Sequence, residues 1–135
     1  METCHKSNGQ LFIANPRVKD KGNRKWWLLL KCDPEIINFY CWLATRNGWD
    51  IVKCSRWGPH ISVVTGEKPK DKKFWESLPG RKCKYRYFIN HKTDGSFIWL
   101  DVQSNDFEEI RMNLGLKPKP YFNFHLTIGR FKHMI

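Results

Sequence analysis

Residues 26–37, WWLLLKCDPEII, set a buried strand directly against a helix start. The apolar run WWLLLK (26–31) has the length and composition of a strand covered on both faces. Asp33-Pro34 follows as N-cap and first helical residue: an aspartate oxygen accepts from an early helix N–H, and proline's fixed φ suits the first turn. Ile36, Ile37, Tyr40, Leu43 and Ala44 recur at helical spacing, and Gly48 fits the stop. Ile51–Lys53 fits a short strand, and HISVV (60–64) alternates as another.

The same order recurs downstream. FIWLDV (97–102) reads as a strand, and Asn105 with Glu108 three residues on reads as a helix cap. Phe107, Ile110 and Leu114 supply an apolar helix face, Gly115 ends it, and FHLTIGR (124–130) closes the chain as a strand. Trp27 to His60 is 60 − 27 = 33 residues and Trp99 to His125 is 125 − 99 = 26, so the second β–α–β unit is tighter. Between the halves, KYRYFIN (84–90) and SFIWLDVQ (96–103) are predicted strands joined around Lys92-Thr93-Asp94-Gly95, where Asp-Gly signals a hairpin. Gly66 to Gly80 is irregular, with room for one short helix. Residues 1–16 are polar and read as a flexible N-terminal arm, leaving 17–135 as one domain.

Length and charge bound the rest. The 135 residues make one domain. Hydrophobic residues at 41% and aromatics at 15% exclude a disordered chain. Lys plus Arg is 24 and Asp plus Glu is 13, so the net charge is 24 − 13 = +11, which favours an anionic partner. The longest apolar run, Trp26 to Leu30, is too short to cross a bilayer, and METCHKSNGQ lacks the apolar core of a secretory signal. The 5 cysteines are an odd number without a CxxC pair. They read as reduced thiols of a cytoplasmic protein, with neither a disulfide framework nor a finger-type metal site expected.

His60-Ile61-Ser62 and His125-Leu126-Thr127 are the informative residues. On a strand, positions i and i+2 share a face, so each histidine projects with its hydroxyl partner and the apolar neighbours turn away. Halves related by a pseudo-twofold axis bring two imidazoles and two hydroxyls together. Such a group suits a phosphodiester: one neutral imidazole takes a proton from the nucleophile, the other as imidazolium protonates the leaving alkoxide, and the hydroxyls hold the non-bridging oxygens. That scheme uses no metal or cofactor. Trp75, Tyr85 and Tyr87 are the candidates for stacking on bases, since they lie among lysines and arginines; Trp26, Trp27 and Trp99 are assigned to the core. The segment 66–95 carries nine Lys/Arg against four acids, a net 9 − 4 = +5, and reads as a solvated basic surface. Arg130 falls on the face opposite Thr127 if strict alternation holds.

PHISV (59–63) and FHLTIGR (124–130), each an apolar-His-apolar-hydroxyl-apolar pattern in a β–α–β context, resemble the 2H phosphoesterase superfamily. That resemblance spans about residues 25 to 131. It implies an α+β fold: a single bilobal domain of two pseudo-symmetric βαβ-type halves, with antiparallel sheets lining a central cleft. It also implies metal-independent phosphodiesterase chemistry by His60, Ser62, His125 and Thr127. RVKDKGNRKWWLL (17–29) and WGPHISVVTGEKP (57–69) are most similar to the anti-CBASS phosphodiesterases of tailed phages, which cleave 3′–5′-linked cyclic di- and trinucleotide signals in the host cytoplasm and so serve immune evasion. The alternatives are a phosphodiesterase for RNA 2′,3′-cyclic phosphate ends or 2′–5′ linkages, and a non-catalytic nucleotide- or RNA-binding module.

Overall fold

The computed structural model describes residues 3–14, 26–53 and 58–132. The basic run 17–25 and the stretch 54–57, with Cys54, lie outside the described residues. The fold is mixed α+β, as expected, and its strands pair antiparallel throughout the described residues.

The elements run β1 (Cys4–Ile13), β2 (Trp27–Lys31), α1 (Pro34–Arg46), β3 (Ile51–Lys53), β4 (His60–Thr65), β5 (Lys82–Phe88), β6 (Lys92–Thr93), β7 (Phe97–Gln103), α2 (Asn105–Asn113) and β8 (His125–Phe131). A 3₁₀ turn at Trp75–Ser77 is the one regular piece of the 66–80 segment. All eight strands belong to one sheet in the order β3-β8-β4-β2-β1-β5-β7-β6, and β7 also pairs with β8. Six strands, β8-β4-β2-β1-β5-β7, therefore close on themselves as a barrel. Two separate sheets facing across a cleft were expected; the closed ring replaces them.

The repeat expected from sequence appears in the pairing. β2 lies beside β4 and β7 beside β8, with β4 and β8 adjacent, so the order β2-β4-β8-β7 reads the same through both halves. Asp33 caps α1, its Oδ1 accepting from the Glu35 N–H, and Ile36, Ile37, Tyr40 and Ala44 are buried along one stripe. The cap of α2 is Ser104 rather than Asn105: Ser104 Oγ accepts from the Phe107 N–H and donates to the Lys84 carbonyl. Asp94 Oδ1 accepts from the N–H groups of Ser96 and Phe97, and Gly95 takes φ +89, which makes 92–97 the tight turn between β6 and β7.

The largest departure is at the N-terminus. Residues 4–13 are no arm but a strand in the middle of the ring, pairing with β2 on one edge and β5 on the other. One face of the ring, with Leu11, Leu28, Leu30, Ile61, Leu126, Leu100 and Tyr85, packs with Ile37, Tyr40, Phe107, Ile110 and Leu114 of the helices in one core. The opposite face is mostly polar, with Leu29, Trp99 and Phe97 among its apolar members. Cys4, Cys32 and Cys83 are free thiols, and burial pushes Cys32 up to about 12 and Cys83 up to about 11. No helix among the described residues is long and apolar enough to cross a membrane.

Candidate active site

β4 and β8 meet at a single Cα pair, Ile61 with Leu126, in antiparallel register. Moving one residue along each strand sets His60 across from Thr127 and Ser62 across from His125. Residues directly opposed in an antiparallel pair share a face, and the apolar pair turns the other way, fully buried. All four sequence-predicted groups therefore stand on the polar face, half-buried, around a local twofold axis through Ile61 and Leu126.

The two imidazoles are held alike. His60 Nδ1 lies 2.8 Å from the Gly58 carbonyl and His125 Nδ1 lies 2.9 Å from the Asn123 carbonyl, in each case the residue two positions earlier. A carbonyl only accepts, so each Nδ1 carries its proton, and in the neutral ring the lone pair sits on Nε2. Burial, with the charge of His125 as a lesser cause, holds the His60 imidazolium below the ordinary histidine range, against the Gly58 hydrogen bond that raises it.

Both motifs are followed by a β-bulge. Leu28 and Leu29 of β2 pair with Val64 and Ser62, leaving Val63 as the extra residue. Ile98 and Trp99 of β7 pair with Gly129 and Thr127, leaving Ile128 as the extra residue. A bulge breaks the ladder and frees a carbonyl, and here each is bonded by the helix of the other half. Arg111 of α2 donates from Nη1 to the Val63 carbonyl at 2.9 Å, and the Cys41 thiol of α1 approaches the Ile128 carbonyl at 3.9 Å. Arg111 is 1% exposed and also grips Glu67 through both guanidinium nitrogens (2.8 and 2.7 Å) and the Lys117 carbonyl through Nε (2.7 Å).

The second bulge moves Arg130. It pairs with Phe97, which shares a face with Trp99 and hence with Thr127, so Arg130 stands on the polar face after all. Strict alternation failed there because Ile128 is an added residue.

On the same face, Trp99 is directly across from Thr127 and Asp101 directly across from His125. These four line a cavity of about 700 Å³ that abuts the quartet on its His125–Thr127 side, with Phe97, Phe122 and Lys92 in its wall. Trp99 Nε1–H donates to Asp101 Oδ1 at 3.2 Å, and the Lys92 ammonium pairs with Asp101 Oδ2. Trp99, assigned to the core from sequence, is thus a wall of this cavity. The signal lay in its spacing: Trp99 and Asp101 are i and i+2 of one strand, as Thr127 is to His125.

The expected stacking residues lie elsewhere. Trp75 is buried edge-on against Trp26, and Tyr85 is buried against Phe107, so neither ring offers a face to a ligand. Tyr87 is half-buried beside His5. Core packing claims both, Tyr85 from an inward strand position and Trp75 from the 3₁₀ turn, because large apolar rings gain most from burial. No group of three or more His, Cys, Asp or Glu suited to a metal occurs among the described residues.

No protein-family model, no curated protein and no solved structure matches this chain.

Proposed function

We propose that the chain is a phosphodiesterase of the 2H type, acting on its substrate with two histidines and two hydroxyls. The observation that carries this reading is the Ile61–Leu126 register, which gathers His60, Ser62, His125 and Thr127 on one face. Two Nε2 atoms fixed by mirrored Nδ1 bonds supply the proton acceptor and proton donor that a phosphoryl transfer needs. His60, held toward the neutral form, is the base. The acid role then falls to His125. Ser62 and Thr127 donate to the non-bridging oxygens as negative charge grows there.

The particular substrate we propose is a cyclic di- or trinucleotide with 3′–5′ linkages, which gives the chain an anti-CBASS role. The cavity beside His125 supports it, because Trp99 and Phe122 offer aromatic surface for a base next to the reacting phosphorus. In this scheme His60 Nε2 takes the proton of a ribose 2′-hydroxyl, whose oxygen bonds to phosphorus. The P–O5′ bond breaks, and His125 returns a proton to O5′. The product is a linear nucleotide ending in a 2′,3′-cyclic phosphate, an isomer of the substrate. Water can then open that cyclic end.

The test is product analysis by chromatography with mass spectrometry. A panel of cyclic dinucleotides, cyclic trinucleotides, RNA 2′,3′-cyclic ends and 2′–5′ dinucleotides is incubated with the protein, with and without EDTA. A linear isomer, or its hydrate, from the cyclic substrates in both conditions is expected. Intact recovery of every ligand makes the chain a binder, and turnover of the RNA ends alone replaces the substrate assignment. Undiminished turnover by the His60→Ala/His125→Ala double variant refutes the mechanism.

A further inference from the structure

The polar face of the ring does not stop at the quartet. Lys31 of β2 is directly across from His60. Beyond it the register sets Gln10 of β1 between Lys31 and Lys82, Asn8 across from Lys84, and Lys6 across from Arg86. Five cations thus share one face of three adjacent strands, and all five are exposed. Like charges directly opposed, as Lys6 and Arg86 are, destabilise a sheet. Among the described residues, no carboxylate forms a salt bridge with any of the five. Asp33 and Asp106 lie within the same stretch of surface, and Asp106 Oδ2 is engaged by the Lys84 backbone N–H.

The surface there is hollowed. One cavity of about 530 Å³ is walled by Lys31, Lys82, Asn8 and Gln10, and a second of about 510 Å³ by Lys6, Lys84, Arg86 and Asn8. They share Ser7 and Asn8, so a continuous trough crosses β1. Along β5 the cations recur at every second residue, a repeat of about 7 Å at roughly 3.4 Å per residue. A row of evenly repeated cations in a trough, tolerated at a cost in sheet stability, matches an anion that itself repeats.

We infer that this trough binds the sugar–phosphate backbone of a single-stranded nucleic acid. Lysine and arginine contact its phosphates, and Asn8 and Gln10 donate between them. The inference stands on register and charge, and it holds whether or not the quartet hydrolyses anything.

The probe is a fluorescein-labelled dT12, which has no 2′-hydroxyl to be cleaved, followed by fluorescence anisotropy between 50 and 200 mM salt. Lys82→Glu/Lys84→Glu/Arg86→Glu is compared with Lys68→Glu/Lys73→Glu/Lys119→Glu, an equal change in net charge at exposed sites off the trough. Loss of three phosphate contacts is expected to flatten the log–log salt slope by about 2, at about 0.7 per phosphate. It should also weaken binding at 100 mM salt at least 10-fold, while the control stays within about 3-fold. The neutral Lys82→Gln/Lys84→Gln/Arg86→Gln variant should fall between. Equal losses in both triple variants, absence of dT12 binding by the parent chain, or equally tight binding of a blunt duplex would each overturn the assignment.

Discussion

Replacing Arg111 by alanine tests how the fold serves the site. The guanidinium is buried and makes four hydrogen bonds, to Glu67 twice, to the Lys117 carbonyl and to the Val63 carbonyl. Its loss strands two backbone oxygens and leaves the Glu67 carboxylate with only its Thr65 partners. Removing one partner of a buried pair costs about 3–5 kcal/mol, against roughly 7–20 kcal/mol for a domain of this length. At about 3–4 °C per kcal/mol, the melting temperature should fall by about 10–20 °C. The Val63 carbonyl belongs to the bulge that follows Ser62, so activity at 15 °C should also fall, by about 10-fold. Arg111→Met/Glu67→Leu separates the two effects. Apolar replacement of both side chains relieves the unpaired carboxylate but leaves the Val63 and Lys117 carbonyls without donors, so stability should return only in part. Activity should not, because the Val63 carbonyl still lacks its donor. Scanning fluorimetry and initial rates decide it. A melting point within about 3 °C of the parent for Arg111→Ala, or recovery of activity along with stability in the double variant, refutes the reasoning. The Arg111 hydrogen bonds, opposed by burial, hold the Glu67 carboxyl below its usual range. A depressed folded pKa gives stability that is complete above the unfolded value and lost as pH falls through the folded one. The parent should therefore lose stability in acid more steeply than Arg111→Ala.

Three further outcomes are expected. Burial of His60 places the acid limb of kcat/KM below pH 6.5, and an NMR titration of its imidazole should give a midpoint on the same side; a midpoint above 6.5 removes His60 as the base. Its depressed folded pKa also means that its contribution to stability is full above about pH 6.5 and lost as pH falls through the folded value. Trp99→Ala should raise KM by about 5- to 150-fold, the span of about 1–3 kcal/mol for stacking on one base, while Trp75→Phe, in the core, should leave KM unchanged; steady-state kinetics on the cyclic dinucleotide that turns over best distinguish them. Arg130→Ala, on the polar face beyond Thr127, should lower kcat/KM several-fold and leave the melting point within about 2 °C; an unchanged kcat/KM returns Arg130 to a surface role.

What the sequence made legible was local. Asp33-Pro34 announces α1 because a cap and a fixed φ act within three residues, and His-x-Ser/Thr announces a shared face because alternation acts within two. What it hid was set by partners far along the chain. CHKSNGQLFI (4–13) carries Asn8-Gly9 in its middle, an ordinary turn signal, yet it is a strand. The glycine is there because a Cβ would collide with the Lys31 carbonyl of β2, and the polar alternation reflects one open face. HISVV reads as strict alternation, which sends Val63 and Val64 to opposite faces; the bulge puts both in the core. The identity of a bulge residue depends on what pairs with it, so neither Val63 nor Ile128 announces itself.

The same bulges bear on how two similar motifs take different parts in the proposed reaction. Each half must present a histidine and a hydroxyl at the junction of β4 and β8, and each does so with an Nδ1–carbonyl bond two residues back. A symmetric site would give two equivalent imidazoles, and proton transfer from nucleophile to leaving group needs unequal ones. Several departures from symmetry lie around the motifs. The Val63 carbonyl takes a charged, bidentate-anchored arginine where the Ile128 carbonyl takes a thiol at 3.9 Å. His60 faces Lys31 on its outer flank, whereas His125 faces Asp101. Burial holds the first ring toward the neutral form, and a cation stands across from it where a carboxylate stands across from the second. Exchanging the two flanking charges by Lys31→Asp with Asp101→Lys should cut turnover at neutral pH while binding of an uncleavable phosphorothioate ring persists. Unchanged turnover would mean that the flanking charges do not set the roles.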